Sequence, residues 1–329
     1  MASATDLAML ERIASSSDPG LDIERKRMLV IVNPYATTVS DRLRNLVVYA
    51  LQGRYEVTAI DTEERGHATE LCREAALEGY DVVVAFGGDG TVNEAANGLA
   101  GSPTPLSCLP GGSTNVYCKL LGIPGELVDA TEHLLGMADD WRPRRVDLAK
   151  VNDRHFLFSA GYGLDATVVA RVDSNPRLKA RLGPYYYTYA AVTSFNRRYL
   201  IHPPRIVAEI DGQEVPGVTA IVQNGEIYTY FRDRPIVVAE GADLDNGLLS
   251  AVVLERASPI DMPTLIWRAF SQRSRIVNHH RVSSFDELSE VVLRSGDDRP
   301  VALQVDGDHV GDVHEARFSL QRQALTVVS

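Results

Sequence analysis

The stretch Asp81–Glu94, DVVVAFGGDGTVNE, restricts the fold more than any other part of the chain. Asp81 to Phe86 is a short apolar run rich in valine, the composition of a strand buried on both faces. Gly87, Gly88 and Gly90 follow, interrupted only by Asp89. From Thr91 the residues Val92, Ala95, Ala96 and Leu99 recur at helical spacing. Strand, glycine turn and helix start in this order bring backbone N–H groups to an anion, because the first helical amides lack internal partners and the helix dipole favours negative charge. Asp89 adds a carboxylate able to hold Mg²⁺ or polarise a water beside phosphates. The stretch predicts a nucleotide site centred on Asp89.

The flanking sequence repeats the alternation. Met28–Val32 reads as a strand ending at Asn33-Pro34, Val39–Leu51 as a helix, Glu56–Ile60 as a strand and His67–Glu78 as a helix. Pro105–Leu109 is a further strand ending in Pro110-Gly111-Gly112, with a helix from Ser113 to Leu120. Strands alternating with helices imply βαβ units and a parallel sheet, whose ligands bind outside the carboxyl ends of the strands. Asn33, Thr62, Gly87–Thr91 and Gly111–Asn115 all fall at that rim.

The pattern changes near Asp147. Val146–Val151, Phe156–Ala160, Arg205–Asp211, Gly217–Gln223, Ile236–Ala239, Leu248–Leu254, Val291–Arg294, Val301–Val305, Arg317–Leu320 and Ala324–Val328 read as strands. Asp211-Gly212 and Asp306-Gly307 are hairpin turns. Short strands with Asx-Gly turns predict an antiparallel sandwich, broken by helices at Arg177–Tyr199 and Met262–Val277. The expected organisation is an N-terminal extension (1–26, with a helix at Thr5–Ala14), an α/β domain (27–145) and a β-sandwich domain (146–329) whose last strand is free to return to the first domain.

The net charge of −11 argues against broad binding to nucleic acid, and the three cysteines form neither a metal spacing nor an even disulfide framework, which makes a reducing cytoplasm the expected setting. Neither a signal peptide nor a membrane-spanning apolar run is visible. Gly161–Ala166 fits the dinucleotide pattern G-x-G-x-x-A, but the acidic residue expected about 20 positions later is missing, so the match reads as spurious. A Walker-type phosphate loop is absent. His279-His280 lacks a partner at metal spacing.

Several segments together resemble the diacylglycerol kinase catalytic domain shared by bacterial lipid kinases and sphingosine kinases. GGDGTVNE is close to the signature of that family. VNPYA (Val32–Ala36), TEERGHATEL (Thr62–Leu71), LPGGSTNVY (Leu109–Tyr117), SAGYGLDATV, RLKARLGPYYYTYA, GADLDNGLLS and QVDGDHV have family counterparts in the same order. The resemblance covers about residues 28–310. It implies an ATP-binding α/β domain followed by a β-sandwich that takes the lipid, with transfer of the γ-phosphate of ATP to a lipid hydroxyl, diacylglycerol to phosphatidic acid being the leading reaction. Asn33, Pro34, Tyr35, Ala36, Thr37, Thr62, Gly87, Gly88, Asp89, Gly90, Thr91, Val92, Asn93 and Ser113 would surround ATP. Asp89 would position Mg²⁺, Glu94 and Asn115 would support the turns, and Asp308 would act as general base.

The chain departs from the family pattern at four points. Tyr35-Ala36-Thr37-Thr38 stands where glycine and a basic residue are usual, with Arg42 or Arg44 as candidate substitutes for the cation. Ser113 replaces threonine and keeps the hydroxyl. Asp308 replaces glutamate and is shorter by about 1.5 Å, one bond. Some bacterial members hold a second, structural Mg²⁺ on a loop ending in Asp-Gly; here Asn246 takes the aspartate slot, with Asp243 and Leu248 as the accompanying ligands.

Two alternatives stay open. NAD kinase also carries a Gly-Gly-Asp-Gly-Thr turn, but its Asn-Glu pair lies well downstream, whereas Asn93-Glu94 follows Thr91 directly. A nucleotide- or lipid-binding regulator without catalysis is the other. Asn175–Arg205 and Thr264–Arg281 interleave arginines with aromatic residues, a composition suited to an anionic membrane surface and equally to half-buried packing or to nucleic acid, the last disfavoured by the acidic whole. The expected setting is cytoplasmic with peripheral membrane contact, a homodimer being left open.

Overall fold

The computed structural model describes residues 25–164, 205–231, 234–271 and 273–329, with residues 9, 10, 12, 166, 167 and 169. The chain divides into two units, one running to Val146 and joined by Gln323–Ser329, the other Asp147–Arg322.

In the first unit β1 (Arg27–Val32), α1 (Asp41–Leu51), β2 (Glu56–Asp61), α2 (His67–Leu77), β3 (Val82–Gly87), α3 (Asp89–Leu99), β4 (Leu106–Pro110), α4 (Val116–Leu120) and α5 (Leu127–Gly136) follow in order. The strands pair in parallel as β2-β1-β3-β4, and Val327 near the chain's end pairs in parallel beside Leu106 of β4. Every residue of β3 is buried, as a strand covered on both faces requires. Register fixes the rim: Val32 pairs with Asp61 and with Phe86, and Gly87 pairs with Pro110. The turns after all four strands therefore leave the sheet at one level. The α2–α3 contact depends on Gly98, where an added Cβ would lie 2.5 Å from Cys72 Cβ and from the Thr69 carbonyl.

In the second unit the strands are β5 (Arg144–Val151, which starts in the first unit), β6 (Arg154–Phe156), β7 (Ser159–Gly163), β8 (Ile206–Ile210), β9 (Gln213–Gly217), β10 (Thr219–Gln223), β11 (Thr229–Phe231), β12 (Arg234–Ile236) and β13 (Leu249–Leu254). Helix α6 (Met262–Phe270) precedes β14 (Val282–Leu288), β15 (Glu290–Ser295), β16 (Val301–Val305), β17 (Asp308–Val313) and β18 (Glu315–Val327). One antiparallel sheet runs β14-β13-β10-β7-β16-β17; opposite it β18, β15, β8 and β9 pair in sequence. Side chains of both sheets share one core, in which Phe156 and Phe318 meet edge to face at 6.2 Å. The architecture is an α/β parallel-sheet unit followed by an antiparallel β-sandwich, as the sequence predicts. Both Asx-Gly turns have the two positive φ angles of a tight hairpin: 48° and 74° at Asp211-Gly212, 48° and 86° at Asp306-Gly307.

Several element boundaries differ from expectation for local physical reasons. The Ser113–Leu120 helix begins only at Val116, because Asn115 sits at φ 48° with its side chain bonded to Gly112. The predicted strand Phe156–Ala160 splits at Leu157 and Phe158, whose N–H groups turn to the Asp306 carboxylate. Of Ile236–Ala239 only Ile236 is in a strand; the Ala239 N–H goes to Gln223 Oε1 instead of a ladder. The helix at Met262 ends at Phe270, where Ser271 Oγ accepts the N–H groups of Arg273 and Ser274. Arg317–Leu320 and Ala324–Val328 lie along one continuous strand, β18, which ends at Val327. Helix α5 and strands β9, β11, β14 and β17 were not expected. Gly161 and Gly163 lie inside β7, where a Cβ on Gly163 would stand 2.7 Å from the Val218 carbonyl, so these glycines serve sheet packing. The expected helix Arg177–Tyr199 lies outside the described residues, as does Thr5–Ala14 apart from Met9, Leu10 and Arg12.

Candidate active site

The rim of the first unit is knitted from its four turns. The Gly111 N–H donates to the Gly87 carbonyl at 2.8 Å, and the Thr38 N–H donates to the Gly111 carbonyl at 3.1 Å. A Cβ on Gly111 would lie 2.9 Å from Gly87 Cα, and one on Gly112 would lie 2.8 Å from Gly88 Cα. Glycine is needed at these places because backbone passes against backbone. Asn33 Nδ2 donates to Thr91 Oγ1 at 3.0 Å, the Asn33 N–H donates to the Phe86 carbonyl, and the Thr62 N–H donates to the Val32 carbonyl. His67 Nδ1 accepts the Glu63 N–H, which places this ring at the Thr62 turn.

Asp89 opens α3. Its Oδ1 accepts the Tyr117 N–H at 3.0 Å and its Oδ2 accepts from Thr114 Oγ1 at 3.3 Å. Thr114 and Tyr117 were not among the predicted site residues; they lie 25 and 28 positions from Asp89, a distance closed only by the β3–β4 register. A carboxylate is the oxygen ligand type that Mg²⁺ takes, and Asp89 also anchors α4. The side chains of Val92 and Asn93 are buried at 1% exposure, and the Thr91 and Val92 N–H groups both go to the Gly88 carbonyl. Whatever Val92 and Asn93 contribute to a ligand is made by turn geometry. Pro34, Tyr35, Thr37 and Ser113 are exposed. Of the candidate cations, Arg44 is committed to Asp61 at 2.7 Å and to Asn45. Asn115 supports its turn by bonding both the N–H and the carbonyl of Gly112, and the Glu94 carbonyl accepts from Thr69 Oγ1.

In the second unit Asp308 starts β17, half-buried, directly after the Asp306-Gly307 turn. That turn is fixed by Asp306, 5% exposed, whose carboxylate accepts the N–H groups of Leu157, Phe158 and Ser159 at 2.7, 3.0 and 3.1 Å. Gln304 Oε1 accepts the Gly307 N–H. In the 243–248 loop Asp243 Oδ1 accepts the Leu244 N–H and Asn246 Oδ1 accepts the Leu248 N–H. Asn246 Nδ2 donates to the Gly241 carbonyl, and the Arg322 guanidinium donates to the Gly247 carbonyl at 3.3 Å.

An apolar cavity of about 180 Å³ also belongs to this unit, lined by Ile221, Val252, Leu254, Met262, Leu265 and Ile276 among others. Helix α6 covers it with Met262 and Leu265, while Ile266 and Trp267 remain 51% and 59% exposed. The arginines near it are not without acids: Arg275 pairs with Glu240 and Arg281 lies near Asp261. No helix among the described residues is long and apolar enough to cross a membrane.

Glycine turns on the carboxyl rim of a parallel sheet, with an antiparallel sandwich next in the chain, define a two-part α/β and β class of nucleotide-type fold. Residues 27–151 match the model of the diacylglycerol kinase catalytic domain, and residues 159–329 match that of the YegS C-terminal NAD kinase beta sandwich-like domain. The chain belongs to the diacylglycerol kinase catalytic-domain family and is a kinase. Diacylglycerol kinases of Staphylococcus aureus strains JH9 and Newman are 26% identical over 302 residues, 91% of either chain. The crystal structure of a diacylglycerol kinase from Bacillus anthracis str. Sterne aligns with a TM-score of 0.67 at 23% identity, covering 93% of this chain and 98% of that one. Another chain from that organism aligns with a TM-score of 0.71 at 24% identity and the same coverage.

Proposed function

We propose that this kinase transfers the γ-phosphate of ATP to the primary hydroxyl of a lipid, with diacylglycerol the leading acceptor. The observation that carries the reading is the interlock of the Gly87-Gly88 and Gly111-Gly112 turns at the head of α3. It leaves a glycine-floored surface beside the positive end of an eleven-residue helix, where phosphates are favoured. Asn33–Thr37, Thr62, Gly87–Asn93 and Ser113 form the nucleotide surface. Mg²⁺ bound with ATP supplies charge neutralisation on the phosphates, and Asp89 is the residue that would hold it. Asp308 takes the proton of the acceptor hydroxyl. The chemistry asks of the protein positioning and electrostatics rather than covalent participation.

The apolar cavity of the second unit supports a hydrocarbon-bearing acceptor, and the exposed Ile266 and Trp267 of α6 support contact with a membrane surface. In the 243–248 loop Asp243 and Asn246, with Leu248, stand as the candidate ligands of a second, structural Mg²⁺; their side-chain oxygens also accept the Leu244 and Leu248 amides of the same loop. Incubation with labelled ATP, Mg²⁺ and diacylglycerol micelles should yield labelled phosphatidic acid. Labelled NADP⁺ from NAD⁺, or nucleotide binding without turnover on any lipid, would overturn the reading. In vesicle sedimentation, Trp267→Ser should weaken binding to anionic vesicles; unchanged binding removes α6 from the contact.

A further inference from the structure

Helix α6 presents three faces. Met262 and Leu265 line the apolar cavity, Ile266, Trp267 and Phe270 are exposed on the outside, and Asp261, Thr264 and Arg268 meet the segment that leads into β14. None of the nine residues of the helix is buried, and the cavity beneath it measures about 180 Å³. Apolar packing therefore seats the helix weakly, and its polar side carries more of the attachment. Thr264 pairs with His279, Asp261 lies beside His280 and Arg281, and the Arg268 guanidinium donates to the Arg275 carbonyl at 2.9 Å.

His279, 4% exposed, is the centre of this attachment, and its hydrogen bonds admit one protonation state. Nδ1 accepts the Arg281 N–H at 3.2 Å, so Nε2 carries the ring proton and donates to Thr264 Oγ1 at 2.9 Å. Thr264 in turn donates its hydroxyl proton to the Asp261 carbonyl at 2.7 Å. A second proton, on Nδ1, would set N–H against N–H at Arg281. It would also put a positive charge against the His280 ring, whose centroid lies 4.5 Å away, and near Arg268 and Arg281. Asp261 is the one acid among these groups, and its carboxylate is already shared by Ser258 Oγ at 2.9 Å, His280 and Arg281. Farther out, Arg275 pairs with Glu240, and Glu255 accepts from Ser283 Oγ. Burial, then His280 and Arg268, hold the pKa of His279 below its ordinary value, so the neutral ring belongs to the seated helix.

We propose that protonation of His279 unlatches α6 from the start of β14, which makes the helix a proton-sensitive cover of the apolar cavity. Because the unlatched form binds that proton more readily, the seat is complete above pH 6.5, the ordinary histidine value, and weakens as pH falls below it. A proton on the exposed His280 strengthens its pairing with Asp261 and opposes release, so the sensor is the buried ring. Anionic lipid surfaces concentrate cations, protons included, so the helix loosens where its exposed Ile266 and Trp267 would meet a bilayer. The latch goes beyond the kinase reading and does not depend on it.

The test is fluorine NMR of the full-length protein labelled with fluorotryptophan, taken from about pH 8 to about pH 5. The chain has two tryptophans, so Trp141 in the first unit reports global unfolding while Trp267 reports α6. The Trp267 resonance should shift and narrow with a midpoint below pH 6.5 while that of Trp141 stays in place. His279→Gln, which offers an amide oxygen and N–H groups but no titration in this range, should hold the Trp267 resonance at one position throughout. His280→Ala should keep the transition. A wild-type Trp267 resonance that does not move overturns the proposal, as does one that moves only together with Trp141. A His279→Gln protein that still titrates, or a His280→Ala protein that does not, places the sensor elsewhere and overturns it as well.

Discussion

The N–H of Tyr117 donates to Asp89 Oδ1 at 3.0 Å, so the acid that opens α3 also holds the first turn of α4. One carboxylate thus serves two turns, and the two duties can be separated by substitution.

Asp89→Asn keeps an oxygen for Tyr117 while removing the charge. Turnover should fall by orders of magnitude with Tm nearly unchanged. Asp89→Ala strips the acceptor as well and should cost about 1–2 kcal/mol of stability in addition. Steady-state kinetics and thermal melts of both variants check this. A fully active Asn variant would remove Asp89 from the chemistry.

Gly111→Ala forces a methyl group into contact with Gly87 Cα and Val39 Cγ2, each 2.9 Å away. The backbone neighbour cannot rotate aside as a flexible side chain would. A loss of about 1–3 kcal/mol is expected, as for other overpacked sites, together with a raised KM for ATP. If both Tm and KM stay at wild-type values, the two turns are not in the contact described.

Asp306 and Asp308 lie two residues apart and should answer substitution in opposite ways. Asp306→Ala leaves the Leu157, Phe158 and Ser159 amides without their acceptor, and each buried orphan costs about 1–3 kcal/mol. Asp306→Asn also fails, since one of its two positions would present N–H to N–H. Asp308→Ala, at a half-buried position, should spare Tm and abolish turnover. A folded and active Asp308→Ala enzyme would show Asp308 to be a hairpin residue only.

All three cysteines are buried and free. Burial, with the nearby charge of Glu94, pushes the Cys72 thiol up to about 12, and burial with the Cys118 thiol beside it raises Cys108 well above its ordinary value. Tyr55 and Tyr162 are raised by burial too. These groups lose protons in the unfolded chain before they do so in the native one. Stability is therefore fully present below pH 9, the ordinary thiol value, and falls as pH rises toward 12. Melts across that range should show it, and a thiol reagent at neutral pH should find no reactive cysteine until denaturant is added. A thiol that reacts in the native protein would contradict the burial.

The valine run before Gly87, the Asx-Gly hairpins and the four rim turns were legible because each is a local pattern whose physics acts over a few residues. What stayed hidden needs the sheet first. Thr114 and Tyr117 reach Asp89 only once β3 and β4 pair, and Asp306 finds the Leu157–Ser159 amides only after β16 lies beside β7. Asp261 likewise meets His279 and His280 through the packing of α6. The G-x-G-x-x-A pattern shows the converse: its spacing suits a phosphate turn, yet Gly161 and Gly163 are both ladder residues, paired with Ile221 and Thr219.

Strand β18 carries the chain back to the unit in which it began. Gly101 donates its N–H to Ala324, Val328 donates to Leu106, and Leu325 and Val327 are buried there. During synthesis, then, residues 27–146 emerge early but lack this edge strand until residues 323–329 have also left the ribosome. A stop codon just after Arg322 would spare most of the sandwich and strike the α/β unit instead.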